Sequence, residues 1–551
     1  MKSKFIFLIL TIVTLVYNSC DSIFDVDTER NVFPEKNKIT TENDIIYSLS
    51  GLFSKLEKIA TKYVLLGELR ADLMNITSYS SNYLKDIYNF NISKDNPYNK
   101  ISDYYEIINH CNFLISKIDT SIMIEGERIM YEAVASIKAI RAWTYLQIAL
   151  NYGSVKYYEK PILILKDTIN YVNYTLKSLV QVLINDLEPW KYQKNPVSFS
   201  LGVDLMSNKL YFPVRFVLGD LYLWNGEYEK AAKEYFELIR ENNYRISQNY
   251  KNSWTVTNNI FVERELQNQT WLNLFNFNNN EIITLIAWST EYAKNAEIDS
   301  LSLMLPEIVP SEVAIKYWSS ELYYYNSKTF TEGDLRGDIG SYISPKSLNY
   351  ELVSKINLKK KFLTENTILK YFLLSGEKTD GVSIYRVGLL YLRYAEAINR
   401  TGRPNVAFAV LKHGLKSNVL KIDSIIPPKE KYVSYNDTVG IIYDFINFND
   451  NIFDNNIGIH SRGCGNVNLA YDYRIPKLNS LEDSILFVED KIVEELALET
   501  AFEGNRFHDL MRIALRRNDN LFLANKVSEK YKNKEEIRQK LLNESNWFLI
   551  P

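Results

Sequence analysis

Two stretches of the chain share one spacing of small and aromatic residues, and this spacing strongly limits the possible fold. It is clearest between Val214 and Ile239, in VRFVLGDLYLWNGEYEKAAKEYFELI. A small residue at this spacing lets two antiparallel helices approach closely, and an alanine on the second helix receives an aromatic side chain. Gly226 suits the turn because glycine adopts conformations that other residues avoid. We predict a helix pair over about 207–241, whose pattern residues are Leu218, Gly219, Tyr222, Ala231 and Tyr235.

The same spacing, which is that of tetratricopeptide repeats, returns further along the chain and predicts a second pair at about 385–417. There Pro404 fits the first turn of a helix, where its missing N–H costs nothing. A third pair is predicted at about 101–150, because apolar residues from Ile129 to Leu150 recur every three or four positions. The three pairs are scattered, so we do not expect a simple solenoid.

Long irregular connections separate these pairs, at about 242–384 and about 420–480. They are rich in Asn, Ser, Thr, Tyr and Gly, and short apolar pieces such as Glu281–Ser289 fit strands. Loops of this length inside a compact domain are usually functional surfaces. The predicted fold is therefore mostly α, with tetratricopeptide-like helix pairs forming a scaffold, long irregular loops and a few short strands. We assign residues 41–551 to one domain.

The beginning of the chain has the pattern of an export signal. Lys2 and Lys4 precede an apolar run, Phe5–Val16, that is too short to span a bilayer as a stable helix. A small residue then stands directly before Cys20, an arrangement typical of lipoprotein signals. We predict a signal peptide over 1–19, lipidation at Cys20, and an acidic tether over 20–40.

Charge, histidine and cysteine content restrict the chemistry. The 64 basic and 67 acidic residues give a net charge of -3, which provides no basic field for nucleic acid. Cys111 and Cys464 lie in unrelated contexts and are predicted to be free thiols. We expect neither a cofactor nor a metal, since no two histidines have ligand spacing. The histidines are His110, His413, His460 and His508.

Two charged motifs could be mistaken for active sites. The segment EGNRFHDLMR alternates acids and bases, and we interpret it as a structural lock between arginines and carboxylates. The segment GDLRGD is interpreted in the same way, as a network that fixes a loop. The possibility that a pair of carboxylates catalyses glycoside hydrolysis stays open, because the distance between two side chains cannot be read from the sequence. The residues concerned are Glu503, Arg506, Asp509, Arg512, Asp334, Arg336 and Asp338.

Seven short motifs in a fixed order resemble the SusD/RagB family of nutrient-binding lipoproteins. The signal and Cys20 come first, and NWFLIP comes last, where Phe548 and Leu549 stand in place of the usual proline. Lys138 occupies a position where the family usually has arginine. The motifs between are YYEIINHCNFLI, EAVASIKAIRAWTYLQIALNYG, NNNEIITLIAWS, GDLRGD and FEGNRFHDLMR.

The resemblance implies a function and a location. It predicts a surface-exposed lipoprotein of the Gram-negative outer membrane that binds an oligosaccharide or a peptide without being an enzyme. It would close as a lid over a partner TonB-dependent transporter, a β-barrel, and deliver the nutrient to it. Two alternatives stay open: a secreted glycan-degrading enzyme, and a periplasmic helical-repeat scaffold that binds only proteins.

The resemblance also directs the search for a ligand site to the early loops. These loops contribute to the ligand cavity in similar proteins, and in this chain they combine stacking faces with hydrogen-bonding groups. The opposite interpretation is that the tyrosines simply pack on the scaffold. The candidate ligand-binding residues are Arg70, Asp72, Tyr79, Asn82, Tyr83, Tyr88 and Asn89.

Overall fold

The structure is a computed structural model, and it describes most of the chain after residue 37. The predicted signal peptide and Cys20 lie outside the described residues, as does Cys464. The described ranges are 38–123, 125–164, 167, 171–196, 198–200, 206–250, 255–258, 260–262, 270–276, 278–289, 298–303, 305–348, 363–371, 379–433, 440–463 and 473–551.

Helices dominate the described part of the chain, as predicted. The first helix begins with a capping box, in which the Thr41 hydroxyl accepts from the Asp44 N–H and the Asp44 carboxylate accepts from the Thr41 N–H. The helices are α1 Glu42–Val64, α2 Asn82–Tyr88, α3 Ser102–Lys117, α4 Ile129–Tyr152, α5 Leu176–Leu187, α6 Val214–Asn225, α7 Tyr228–Glu241, α8 Ile298–Leu303, α9 Glu312–Ser319, α10 Val387–Arg400, α11 Pro404–Lys412, α12 Ser417–Leu420, α13 Pro428–Lys431, α14 Leu481–Thr500, α15 Arg506–Arg517, α16 Asn520–Ser528 and α17 Lys534–Leu541.

The three predicted helix pairs are confirmed as α3–α4, α6–α7 and α10–α11, each of which packs as a unit. In α6–α7 the glycine is needed for contact, because a Cβ at Gly219 would lie 2.5 Å from the Tyr235 ring. The turn residue Gly226 has φ +79°, a left-handed conformation that favours glycine. Pro404 opens α11 as expected. The sequence pattern therefore indicated real helix packing.

Short antiparallel strand pairs occupy the long connections. The longest pair joins β6 to β12, and it confirms the strand predicted at 281–289. The strands are β1 Met74–Ile76, β2 Ser154–Tyr157, β3 Val172–Thr175, β4 Thr255–Thr257, β5 Ile260–Val262, β6 Ile282–Ser289, β7 Ile308–Pro310, β8 Leu322–Tyr324, β9 Phe330–Glu332, β10 Tyr342–Ile343, β11 Thr367–Ile368, β12 Thr379–Arg386, β13 Tyr432–Val433 and β14 Ile441–Ile442.

Buried charges attach these connections to the helical core. The carboxylate of Glu499 on α14 contacts three buried guanidinium groups at 2.7 to 3.0 Å, those of Arg336, Arg386 and Arg462. Burial alone would raise the pKa of Glu499, but these arginines hold it far below its usual range. Arg336 and Arg462 come from the two long connections and Arg386 is the last residue of β12, so one helix position fixes three separate segments.

A π-helical turn follows α1 over Leu65–Leu69 and meets the loop between α14 and α15. The approach is so close that a Cβ at Gly67 would lie 1.8 Å from the Gly504 carbonyl oxygen. The buried Glu68 carboxylate accepts hydrogen bonds from the N–H groups of Phe502, Gly504, Asn505 and Arg506 at 2.8 to 3.3 Å. Residues more than 430 positions apart are joined in this way.

The last residues of the described chain return to its first third. The Leu549 N–H donates to the Asn151 carbonyl, and the Asn99 side-chain amide donates to the Ile550 carbonyl. Near the other end of the described chain, the Ile39 N–H donates to the Lys117 carbonyl, and Ile39 is buried. Among the described helices, none combines the length and apolar character needed to cross a membrane.

Candidate functional site

A short ladder of two strands organises the candidate site. Strand β1 pairs with β7 in an antiparallel register that sets Met74 against Pro310 and Ile76 against Ile308. With a rise of about 3.4 Å per residue, the two ends of this ladder are only about 7 Å apart. An exposed loop leaves one end, and an open cavity lies beyond the other.

The loop at the first end, residues 77–91, is called here the aromatic loop. It is held against the segment before β7, because the Thr77 hydroxyl donates to the Pro306 carbonyl and the Ser80 hydroxyl to the Glu307 carbonyl, both at 2.5 Å. The Ser81 N–H donates to the Glu307 carboxylate at 2.7 Å. These bonds fix the backbone on which α2 begins.

Three of the predicted ligand residues lie exposed on the aromatic loop. Tyr79 and Tyr83 are 47% and 48% exposed, and Asn82 between them is also exposed. Leu305, next to Pro306, adds an exposed apolar side chain. The structure therefore brings two aromatic faces and an amide together on one fixed surface, a combination suited to a hydroxyl-rich ligand.

Two further predicted residues, Tyr88 and Asn89, lie partly buried at the far end of the loop. The Tyr88 ring packs 4.4 Å from the Tyr531 ring, and burial raises the pKa of Tyr88 to about 12. The Asn89 carbonyl accepts from the Lys540 amine at 3.0 Å. Both residues contact the C-terminal part of the chain, Tyr88 through Tyr531 and Asn89 through Lys540.

The remaining two, Arg70 and Asp72, lie in the interior. Arg70 donates to the Asn151 side-chain oxygen at 2.6 Å and to the Trp547 carbonyl at 2.9 Å, and burial lowers its pKa to about 10. Asp72 forms a two-pronged ion pair with Arg506, with both distances 2.8 Å. Their charged groups are paired or hydrogen-bonded within the core, which the sequence interpretation did not anticipate.

An open cavity of about 760 Å³ lies at the other end of the ladder. Ser311 ties it to the ladder, because its hydroxyl accepts from the Ala314 N–H at the start of α9 and donates to the Asp72 carbonyl. Helices α9, α14, α15 and α16 form its walls. The lining residues are Asp72, Glu312, Val313, Lys316, Tyr317, Ser320, Asp490, Glu494, Arg517, Asp519, Leu521, Phe522, Asn525, Lys526 and Glu529.

The cavity offers aromatic faces with polar groups around them. The Arg517 guanidinium lies 4.7 Å over the Phe522 ring and donates to the Asp490 carboxylate at 2.8 Å. The Lys526 amine donates to the Tyr317 hydroxyl at 3.0 Å. Two of the three cations in the lining are thus already paired within the chain, and the other acidic side chains of the wall can accept hydrogen bonds.

Solved structures give the fold a name. No family model matches the chain, and no curated protein matches it. A SusD superfamily protein from Bacteroides thetaiotaomicron aligns over 92% of this chain and 94% of its own, with 16% identity and a TM-score of 0.57. The chain has the SusD fold. The fold prediction is thereby confirmed, although the identity is low.

Two further structures of the SusD fold align at similar levels. A SusD superfamily protein from Bacteroides vulgatus matches at 14% identity over 92% of this chain and 95% of its own, with a TM-score of 0.55. A SusD-like carbohydrate-binding protein from Bacteroides fragilis matches at 14% identity over 87% of both chains, with a TM-score of 0.52.

Within this SusD fold the charged C-terminal motif is structural, as predicted. Its residues pair with other elements of the core: Glu503 with Arg386, Arg506 with Asp72, Asp509 with Arg393 and Arg512 with Glu396. The prediction for Asp334 and Arg336 is likewise confirmed, since they pair at 2.7 Å in the interior. These acids and bases hold the fold together.

Metal-binding groups are absent from the portion of the SusD fold that the structure describes. No three of its His, Cys, Asp or Glu side chains are placed to hold an ion. Cys111 is buried on α3 as a free thiol, and burial raises its pKa to about 12, so the reactive thiolate is disfavoured.

Sequence reasoning missed the cavity because its walls come from segments about 180 residues apart. A local signal existed on α16, where Leu521, Phe522, Asn525, Lys526 and Glu529 share one face at helical spacing. This face mixes a half-buried aromatic ring with exposed and half-buried polar groups, unlike a core face. The facing helix α9 could not be paired with it from sequence.

Proposed function

We propose that this protein is a SusD/RagB-family surface lipoprotein that binds an oligosaccharide and delivers it to a partner TonB-dependent transporter. The observation that carries the proposal is the placement of the cavity and the aromatic loop at the two ends of one ladder in a SusD fold. The carbohydrate-binding protein of the same fold supports this ligand class. No catalytic step is part of the proposal.

The side chains of the site suit sugar rings. Aromatic faces stack on the apolar faces of pyranoses, and planar amides and carboxylates accept hydrogen bonds from hydroxyls. Tyr79 and Tyr83 offer such faces on the loop, and Phe522 offers one in the cavity. Asn82 and Asn525 add exposed amides beside them. A chain of several sugars could contact both parts.

The cavity carries no net charge once the ion pairs of its acids are counted, which suits a neutral oligosaccharide. Four of its six acids are paired: Asp72 with Arg506, Asp490 with Arg517, Glu494 with Lys491 and Glu529 with Lys534. The other two acids of the lining, Glu312 and Asp519, are matched in number by its other two cations, Lys316 and Lys526. A charged ligand would therefore find no net electrostatic attraction there.

Delivery to a transporter requires release as well as capture. Lipidation at Cys20 would keep the protein at the membrane surface, and closure as a lid would place the ligand over the barrel. An affinity on the order of micromolar suits this cycle, because a much tighter complex would dissociate slowly. The basis for this part is the sequence resemblance.

The binding half is tested by titration calorimetry of the mature chain against soluble neutral glycans, oligogalacturonates and short peptides. We expect micromolar binding of a neutral glycan, and about a twofold to tenfold loss in Phe522→Ala or in the double variant Tyr79→Ala/Tyr83→Ala. Tyr47→Ala is the matched control, because Tyr47 is a 77% exposed tyrosine on α1. If only peptides bind, the oligosaccharide proposal is wrong and the ligand is a peptide.

The delivery half is tested by copurification from the native outer membrane in mild detergent. A stoichiometric β-barrel beside the protein, and its loss from the membrane fraction in Cys20→Ala, are the expected results. A membrane-bound protein without a barrel would contradict the transporter partnership. Inaccessibility to protease in intact cells would instead favour the periplasmic scaffold, and glycan turnover would favour the enzyme.

A further inference from the structure

The far side of the aromatic loop is held by the segment that joins α16 to α17. The Tyr531 hydroxyl donates to the Tyr88 carbonyl at 2.5 Å, and the two rings pack at 4.4 Å. Tyr531 is only 6% exposed, so this contact is buried rather than incidental. It fixes the C-terminal end of α2, which follows Tyr83 by little more than one turn.

Lys530 holds the chain where it enters the site. Its amine donates to the Leu69 carbonyl at 2.7 Å and to the Met74 carbonyl at 2.8 Å, and lies 4.5 Å from the centre of the Tyr88 ring. A single side chain thus bridges the end of the π-helical turn, the start of β1 and the end of α2. The strand that carries the aromatic loop is positioned by the same contacts.

Lys540 on α17 adds a third attachment. Its amine donates to the Asn89 carbonyl at 3.0 Å and to the Asn91 side-chain oxygen at 2.5 Å. Because one bond goes to backbone and the other to a side chain, it defines the turn that follows α2. The loop is therefore held on both sides: by the segment before β7 near Ser80, and by the C-terminal helices near Asn89.

Helix α16 also forms one wall of the cavity through Phe522, Asn525 and Lys526. The same helix leads directly into Lys530 and Tyr531, so its placement affects both parts of the site. No other described wall of the cavity is joined so closely in sequence to a contact with the aromatic loop.

We propose that Lys530, Tyr531 and Lys540 are positioning residues that set the aromatic loop in its ligand-binding arrangement. None of them contacts the exposed faces of Tyr79 and Tyr83, so they act through the backbone of α2 and its flanking turns. The proposal concerns the ligand site proposed above and rests on that function, but its structural half can be measured without any ligand.

The first measurement is hydrogen exchange of the backbone amides of residues 82–91 in the ligand-free protein. Tyr531→Phe removes the hydroxyl and keeps the ring, and Lys540→Met removes the charged donor and keeps most of the stem. Each loses one or two hydrogen bonds, so we expect these amides to exchange about threefold to tenfold faster. Amides of α3 and α4 should be unchanged.

Lys534→Met is the matched control, because Lys534 lies on the same helix α17, is about half exposed and pairs only with Glu529 among the described residues. It should leave exchange of residues 82–91 unaltered. Lys540→Arg keeps a charged donor near the Asn89 carbonyl and should restore much of the protection. Equal exchange in wild type, Tyr531→Phe and Lys540→Met would overturn the proposal.

The second measurement is affinity for a neutral glycan that binds the wild-type protein. Tyr531→Phe and Lys540→Met should weaken it severalfold with melting temperatures near that of wild type, and Lys540→Arg should recover it. Faster exchange with unchanged affinity would overturn the positioning role. If the wild type binds no glycan, the proposed function fails, whereas the exchange result still decides whether these residues position the loop.

Discussion

Replacing Glu68 should test whether one buried carboxylate joins two segments that lie more than 430 residues apart in the sequence. Glu68→Ala removes the acceptor for four backbone N–H groups, those of Phe502, Gly504 and Arg506, which are buried, and of Asn505, which is half-buried. An unsatisfied buried donor costs about 1 to 3 kcal/mol. Partial hydration of the vacated space offsets some of this, so we expect a loss of about 4 kcal/mol in the free energy of unfolding.

Glu68→Gln provides the comparison. One Glu68 oxygen accepts from Gly504, Asn505 and Arg506, whereas the other accepts only from Phe502. A glutamine can keep its carbonyl toward the group of three and lose only the Phe502 bond. Its amide then faces another donor, so the expected loss is about 1 to 3 kcal/mol.

The assay is urea unfolding at pH 7.5, followed by circular dichroism and by tyrosine and tryptophan fluorescence. The variants must have equal m-values, the slopes of unfolding free energy against urea concentration, before their free energies are compared. The expected order of stability is wild type, then Gln, then Ala. A loss below about 1 kcal/mol for Glu68→Ala would refute the reasoning, because four donors would then be satisfied some other way. A Gln variant as unstable as Ala would show that charge, and not acceptor geometry, is decisive.

Three further predictions follow from buried contacts, each measured by urea unfolding. Gly67→Ala should cost more than about 3 kcal/mol because its Cβ would overlap the Gly504 carbonyl, whereas Gly51→Ala, exposed in α1, should stabilise by about 0.5 kcal/mol; equal effects would contradict the close contact. Asp72→Asn should lower the free energy of unfolding by about 3 kcal/mol or more, because the buried Arg506 guanidinium would lose the negative charge of its partner; a loss under about 1 kcal/mol would contradict that. Burial lowers the pKa of Lys530 from 10.5 to about 7, so the folded protein loses this proton at a lower pH than the unfolded chain, and the free energy of unfolding should rise with pH between those values. Lys530→Met should remove that rise, and the same dependence on pH in the variant as in the wild type would contradict the prediction.

The helix pairs could be predicted because their signal is local. Gly219, Tyr235 and Pro404 each act within one pair, and a period of 3.6 residues is visible in any short window. The strand at β6 was also visible, but its partner β12 begins some 90 residues later and nothing local marks it. Strands of two or three residues leave too few side chains for a pattern.

The surroundings of the candidate ligand residues could be anticipated only in part, for a related reason. Tyr79, Asn82 and Tyr83 are exposed as a ligand surface requires, because they flank the turn at Ser80. Arg70 and Asp72 have the same polar character in sequence, yet their partners stand 81 to 477 positions away. Whether a charged residue faces solvent or a buried partner depends on those distant residues, and a single sequence does not reveal them.

The contacts of residues 70 and 99 with residues 547 and 550 have a consequence for folding during synthesis. The Arg70 guanidinium and the Asn99 amide donate to the carbonyls of Trp547 and Ile550, so the early segment cannot complete these hydrogen bonds until those residues have been made. Contacts of such sequence separation form slowly. A nascent chain would thus remain incompletely folded while most of it is being made. If the protein is exported as proposed, this delay would keep the chain unfolded for its passage across the membrane. Removing residues 547–551 would take away these partners of the Arg70 guanidinium and the Asn99 amide.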